Sequence, residues 1–131
     1  MAKKILIVDD DPDVRLFNST VAEENGYIAI TAENGEEGYK IVKEEKPDLL
    51  ILDVLMPRQS GIRLYRNLKT EKAFKNMPII LLSGIARRTF LRSQNALTEF
   101  GGEEVPEPKI YLEKPVEPEE LAQAIKDSLD G

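Results

Sequence analysis

Five short apolar runs divide the 131-residue chain at regular intervals, and segments with helical spacing fill most of the gaps between them. The runs, rich in branched aliphatic residues, are residues 4–8, 27–31, 49–52, 79–82 and 109–112. Continuous apolar runs of this length are typical of strands buried on both faces. Their alternation with helices predicts a parallel sheet covered by helices on both sides. We therefore expect an α/β fold built on a doubly wound five-stranded parallel sheet.

The expected strand order is 2-1-3-4-5, the flavodoxin-like (βα)5 arrangement. No internal repeat or linker interrupts the alternation, so residues 1–131 are expected to form a single domain. Helix-start signals support the pattern after the first run, where Asp11 is expected to cap a helix that begins at Pro12. The apolar residues that follow at helical spacing, and that should face the core, are Val14, Phe17, Val21 and Ala22.

Composition excludes several classes of function. The net charge of −6 argues against direct nucleic-acid binding and against binding to an anionic membrane, because phosphates would be repelled. The absence of histidine removes His-based acid–base catalysis, and the absence of cysteine removes disulfides and thiolate metal sites. No apolar run approaches the roughly 20 residues that span a bilayer, and no secretory signal is evident at the amino terminus, so a cytoplasmic location is expected.

Polar side chains stand where the predicted strands end. Asp9 and Asp10 follow the first strand, Asp53 the third, Ser83 the fourth, and Lys114 lies just beyond the fifth. In open α/β sheets, ligands bind outside the carboxyl ends of the strands, at the point where the strand order reverses. With the order 2-1-3-4-5, that point lies between the first and third strands. The three carboxylates are therefore expected to face one another.

Three clustered carboxylates without histidine or cysteine suit a hard cation, and Mg²⁺ is the expected metal. Such a metal would offset the repulsion between the carboxylates and leave Asp53 able to attack phosphorus. Lys114 could pair with a carboxylate at rest and with a phosphoryl oxygen afterwards, and the Ser83 hydroxyl could donate to another phosphoryl oxygen. Phosphoryl transfer depends mainly on positioning and charge neutralisation, which these groups supply.

The stretches ILIVDDDP, LLILDVLMPRQSG, PIILLSG and YLEKP occur in this order along nearly the whole chain. Together they resemble the response regulator receiver domain of two-component signalling, of the chemotaxis-regulator-like kind. The resemblance implies that Asp53 accepts a phosphoryl group from a phosphohistidine. It also implies that Mg²⁺ is held by Asp9, Asp10, Asp53 and the backbone carbonyl of Leu55.

The resemblance further implies a signalling switch that catalyses only its own phosphoryl transfer and hydrolysis. Ser83 and Lys114 would sense the phosphoryl group, the Lys114–Pro115 peptide would be cis, and Tyr111 would occupy the aromatic switch position. Packing alone would account for Tyr111 equally well. The phosphodonor would be a sensor histidine kinase or a phosphotransfer protein. The signal would pass through the face formed by the fourth helix, fifth strand and fifth helix to an output partner that the sequence does not identify. The domain would be a monomer or weak dimer.

Two features depart from the family pattern. The stretch between Ser83 and Lys114 is longer than in a short receiver, and the excess falls in residues 101–108, on the signalling face. Leu55 and Ile85 stand two residues after Asp53 and Ser83, at positions that tune the lifetime of the phosphoryl group in the family. Both are apolar and cannot orient an attacking water, so we expect slow self-dephosphorylation.

Three alternatives use parts of the same pattern. A phosphatase of the haloacid dehalogenase type would place its nucleophile at Asp9, but Pro12 breaks its motif and the late acidic pair is missing. A flavodoxin-like cofactor binder needs a glycine- and hydroxyl-rich loop after the first strand, where this chain has carboxylates. A receiver-like scaffold that is never phosphorylated would not need the complete acceptor set.

Overall fold

The computed structural model describes residues 2–54, 56, 60–86, 88–90, 92 and 109–130. Strands and helices alternate along these residues. In chain order they are β1 (Lys4–Val8), α1 (Pro12–Glu24), β2 (Ile28–Ala32), α2 (Gly35–Glu45), β3 (Leu49–Asp53), α3 (Ser60–Thr70), β4 (Ile79–Ser83), β5 (Ile110–Glu113) and the C-terminal helix (Pro118–Asp130). Most of the predicted fourth helix (87–100) and the whole segment 101–108 lie outside the described residues.

The five strands form one parallel sheet in the order β2-β1-β3-β4-β5, as the sequence predicted. The register places Leu6 of β1 between Ile30 and Leu50 on the two neighbouring strands. The strand order therefore reverses between β1 and β3, and the carboxyl ends of these two strands meet there.

Four strands end one residue beyond the predicted apolar runs, and in β3 and β4 the added residues are the polar Asp53 and Ser83. The backbone ladder explains the difference, because Asp53 still pairs with Leu82 and Ser83 still pairs with Glu113. Side-chain polarity changes at the strand end while the backbone pairing continues for one more residue. The two polar side chains are consequently held on regular β-structure, which positions them more rigidly than a loop would.

Helices cover both faces of the sheet and create two cores. Residues of β1 alternate between them, with Leu6 and Val8 on one side and Ile5 and Ile7 on the other. The first core joins the sheet to α2 and α3, and its buried helix residues are Val42, Leu64, Tyr65 and Leu68. The second joins the sheet to α1 and the C-terminal helix, and its buried helix residues are Val21, Ala22, Leu121, Ala124 and Ile125.

Helix α1 begins as predicted, but one of the four apolar residues expected to face the core lies at the edge of the inward face. The Asp11 side chain accepts a hydrogen bond from the Asp13 N–H at 2.9 Å, and Pro12 is the first helical residue. The expectation that Phe17 faces the core is wrong, because its exposed fraction is 38%, whereas Asn18 is 2% exposed. Successive helical residues lie about 100° apart around the axis, so Phe17 falls at the margin of the arc centred on Asn18.

Candidate functional site

The carboxyl ends of β1 and β3 bring three carboxylates together. Asp9 directly follows β1, Asp10 is the next residue, and Asp53 ends β3. One carboxylate oxygen from each of the three lies within 4.8 Å of the others. Asp9 and Asp53 are only 1% and 4% exposed, while Asp10 is exposed. The site therefore combines two buried carboxylates with one that is open to water.

Asp9 is fixed by hydrogen bonds to its backbone and its side chain. Its N–H donates to the Ala32 carbonyl at 3.2 Å, and its Oδ1 accepts from the Asp11 N–H at 2.9 Å. Nη1 of Arg15 donates to the Asp9 carbonyl at 2.6 Å, a charge-assisted contact that anchors the turn after β1. Sequence reasoning missed Arg15, although a basic residue one helical turn after the aspartates was a usable signal.

Lys114 reaches the same carboxylates from the far side of β4. Its Nζ lies 3.4 Å from Oδ2 of Asp9 and 3.5 Å from Oδ2 of Asp53, with 29% of the side chain exposed. The Lys114 N–H donates to the Ser83 carbonyl at 2.8 Å, which fixes the residue beside the end of β4. The Lys114–Pro115 peptide bond is cis, as the resemblance implied.

Ser83 and Tyr111 are linked through the backbone of Ile85. The fully buried Ser83 accepts a hydrogen bond at Oγ from the Ile85 N–H at 3.0 Å, and the Tyr111 hydroxyl donates to the Ile85 carbonyl at 2.6 Å. The Tyr111 ring packs against Phe90 with centroids 5.3 Å apart. Burial raises the pKa of the Tyr111 hydroxyl, although its hydrogen bond with Ser83 acts in the opposite direction. Tyr111 thus both packs and connects to the site.

Gly61 allows α3 to start directly against the end of β3. A Cβ added to Gly61 would overlap the carbonyl oxygen of Asp53 and approach the Cα of Val54 to 2.9 Å. Any larger residue would push the helix away from the strand that carries Asp53.

Asp10, on the same side of the sheet, lines a cavity of about 580 Å³ where α2 and α3 begin. The site therefore opens to solvent at Asp10.

The donor set fits Mg²⁺. Three carboxylates supply hard oxygen ligands, and the exposure of Asp10 leaves room for the water ligands that this ion retains. Asp9 and Asp53 place two negative charges in buried positions, and Lys114 approaches both. A divalent cation would relieve that repulsion. Leu55, expected to add its backbone carbonyl, lies outside the described residues.

The fold and the acidic site fit a phosphoacceptor domain, and the comparison with protein families identifies the class. The model of the response regulator receiver domain family matches residues 5–126. The chain belongs to this family, the phosphoacceptor domains of two-component signalling. Membership favours the receiver interpretation over the phosphatase and flavodoxin alternatives. Within the described residues, no helix is both long and apolar enough to span a membrane.

Individual relatives agree with this assignment. The phosphate regulon transcriptional regulatory protein PhoB of Pseudomonas aeruginosa is 32% identical over 126 residues, which cover 96% of this chain and 51% of the relative. The alkaline phosphatase synthesis transcriptional regulatory protein PhoP of Bacillus subtilis is 35% identical, with 96% and 48% covered. The chain thus spans about half the length of these relatives. A CheY-like receiver domain structure from Methanospirillum hungatei has a TM-score of 0.81 at 29% identity, covering 99% of this chain and 95% of that one.

Proposed function

We propose that this domain takes a phosphoryl group onto Asp53 from a phosphohistidine of a sensor histidine kinase or phosphotransfer protein. The observation that carries the proposal is the convergence of Asp9, Asp10 and Asp53 within 4.8 Å, with Lys114 reaching two of them. We further propose that Mg²⁺ is the required cofactor and that Leu55 contributes its backbone carbonyl to it.

The position of Asp53 in the sheet supports its role as the nucleophile. Asp9 is anchored through Oδ1 by the Asp11 N–H and through Oδ2 by Lys114, which also reaches Oδ2 of Asp53. Asp53 stands at the end of the central strand β3, so groups from β1, β4 and the segment after β5 surround it. These contacts support a metal-holding and anchoring role for Asp9 and an acceptor role for Asp53.

In the transfer step, a carboxylate oxygen of Asp53 attacks phosphorus and forms an acyl phosphate. The P–N bond to the donor imidazole breaks, and its electron pair stays with the imidazole nitrogen. Bound Mg²⁺ would neutralise charge on the phosphoryl oxygens. Lys114 exchanges its carboxylate partner for a phosphoryl oxygen, and the Ser83 hydroxyl donates to another. Hydrolysis by water returns the carboxylate and inorganic phosphate.

The same contacts offer a route for the signal. A rotation of the Ser83 side chain toward the phosphoryl group would carry Oγ away from the Ile85 N–H, from which it now accepts a hydrogen bond. The Ile85 carbonyl holds the Tyr111 hydroxyl, so a shift at Ser83 changes the position of Tyr111 on β5. The change would alter the face formed by the predicted fourth helix, β5 and the C-terminal helix, which controls an output partner or output domain.

The charge of the chain bears on the partners that it can take. The net charge of −6 supports protein partners rather than direct contact with nucleic acid or membrane surfaces. We propose a cytoplasmic domain, residues 1–131, that is a monomer or weak dimer. The matched relatives are named as transcriptional regulators, and a comparable output for this chain would have to come from a partner or a further domain.

Incubation with acetyl phosphate and Mg²⁺, followed by intact-mass spectrometry, tests the proposal. We expect the mass of one phosphoryl group to be added to the natural protein and to Asp13→Asn, a matched control for an exposed carboxylate near the site. Asp53→Asn should gain none, and chelation of Mg²⁺ should suppress labelling of the natural protein. Equal labelling of Asp53→Asn would overturn the assignment of the acceptor.

A further inference from the structure

A cleft of about 360 Å³ lies beside the phosphoacceptor site, between α1 and the segment that follows β5. Its volume falls in the range of small-molecule pockets. The lining is mostly apolar, with Val14, Leu82 and Val116 on its wall and Asp13, Asn18 and Lys114 as its polar members. We call this feature the α1 cleft.

Asn18 is the unusual member of the α1 cleft. It occupies the centre of the inward arc of α1, is 2% exposed, and its buried Nδ2 has no hydrogen-bond partner among the described residues. Buried amide groups in folded proteins are almost always hydrogen-bonded. An apolar residue at this position would fill the same space without leaving a donor unpaired. This nitrogen is buried in the free protein, so a group that enters the cleft and displaces the side chains over it would give it a partner.

Charges at the α1 cleft favour a neutral occupant. Lys114 directs its ammonium toward Asp9 and Asp53, so it is engaged and does not serve as the counter-ion of an anionic ligand. The exposed carboxylate of Asp13 would repel such a ligand. Apolar surface from Val14, Leu82 and Val116 remains as the main source of binding energy.

We propose that the α1 cleft binds a small, neutral, mainly apolar molecule with one carboxamide or carbonyl group, whose oxygen accepts a hydrogen bond from Asn18 Nδ2. Leu82 immediately precedes Ser83, and Lys114 is shared with the acidic site. A bound molecule would therefore restrict Lys114 and, if the proposed function holds, change the rate of phosphorylation of Asp53. Binding itself is independent of that function.

Benzamide is a suitable probe because its ring and carboxamide match the apolar wall and the Asn18 amide. We expect a titration of the unphosphorylated, Mg²⁺-free protein, followed by amide NMR spectra, to show saturable shifts at Val14, Leu82 and Val116. Toluene, which lacks the amide, serves as the matched probe. Asn18→Leu should weaken benzamide binding about five- to tenfold and leave toluene binding unchanged or stronger.

Val116→Trp provides a second variant that fills the α1 cleft without altering Asn18, and it should abolish binding of both probes. Equal benzamide affinity in Asn18→Leu and the natural protein would overturn the proposal, as would saturable shifts confined to other parts of the domain or the absence of any saturable shift. Since no phosphodonor is present, a negative result here leaves the acceptor role of Asp53 standing.

Discussion

The ammonium nitrogen of Lys114 lies 3.5 Å from Oδ2 of Asp53, across the ends of β3 and β5 and with β4 between them. The same nitrogen is 3.4 Å from Oδ2 of Asp9. Both carboxylates are almost fully buried, whereas the lysine side chain is 29% exposed. One partly hydrated cation therefore balances two buried negative charges, and a phosphoryl group that arrives on Asp53 must change this arrangement.

Replacement of Lys114 by Met should destabilise the metal-free protein. Removing the cation increases the repulsion between the buried Asp9 and Asp53 carboxylates, and we expect a loss of about 1–3 kcal/mol in the free energy of unfolding, moderated by the partial exposure of the lysine. Added Mg²⁺ should recover a larger share of stability in this variant than in the natural protein, because a bound ligand stabilises the folded state.

Urea unfolding of Lys114→Met with and without Mg²⁺ provides the measurement. Lys126→Met, a change at an exposed lysine of the C-terminal helix, is the matched control and should leave the stability nearly unchanged. If Lys114→Met proved as stable as the control in the absence of metal, the electrostatic account of the site would be wrong.

Asp10→Asn should separate metal binding from folding. Asp10 is exposed and adds a like charge to the cluster, so its neutralisation should leave the metal-free protein equally or slightly more stable. Loss of one anionic ligand should weaken Mg²⁺ binding by about tenfold or more, measured by calorimetric titration. Asp11→Asn is the control, because asparagine caps a helix as well as aspartate does and Asp11 lies outside the cluster. Equal Mg²⁺ affinity in the two variants would contradict the assigned ligand set.

Tyr111 should make the protein sensitive to alkaline pH. Burial raises its pKa above the ordinary value of 10.0, so folding favours the protonated phenol. This contribution to stability is complete below about pH 10 and is lost as the pH rises through the raised pKa. Tyr111→Phe keeps the ring against Phe90 but loses the hydrogen bond to Ile85, which should cost about 0.5–1.5 kcal/mol at neutral pH.

Urea midpoints of the natural protein and Tyr111→Phe, compared at neutral and alkaline pH, test this prediction. The difference between the two proteins should shrink above about pH 10. Tyr39, whose pKa is also raised, first by its hydrogen bond to Glu71, is present in both proteins and cancels in the comparison. A difference that stays constant with pH would show that Tyr111 does not titrate differently in the folded state.

The apolar residues at 55 and 85 should give the acyl phosphate a long lifetime. The double variant Leu55→Asn, Ile85→Glu introduces groups that can orient water, and we expect the phosphoryl group to be lost about fivefold faster or more. The decay of phosphorylated protein in Mg²⁺ buffer, after removal of the phosphodonor, gives the rate. An unchanged decay rate would show that the apolar residues at these two positions do not slow hydrolysis.

The sequence predicted the sheet well because its information lies in local patterns. Buried strands in a parallel sheet require continuous apolar runs, so β1 was predicted with the bounds observed, Lys4–Val8. β2 begins at Ile28, one residue later than predicted, and β5 likewise begins at Ile110. Strand bounds depend on pairing between backbones that are distant in the sequence, which a local pattern does not contain.

The sequence identified the side chains that form the site, but not the contacts that hold them in place. Asp9, Asp10, Asp53 and Lys114 stood out because they follow apolar runs, and the structure brings them together. The hydrogen bond from Arg15 to the Asp9 carbonyl was not predicted, because it depends on the conformation that the Arg15 side chain adopts in the folded protein.

The inward direction of Asn18 depends on how α1 is rotated against the sheet. The apolar pattern of α1 correctly predicted that Val21 and Ala22 are buried, but it also favoured Phe17, which is 38% exposed. Contacts of this kind are set by tertiary packing rather than by sequence spacing.

Direct mapping of the phosphorylated residue tests the central claim. After incubation with acetyl phosphate and Mg²⁺, borohydride reduction converts an acyl phosphate to a stable alcohol that peptide mass spectrometry can locate. We predict the modification at Asp53, with Asp9 and Asp10 unmodified. Modification at Asp9 would contradict the account, because it would make the carboxylate after β1 the nucleophile and Asp53 a supporting ligand.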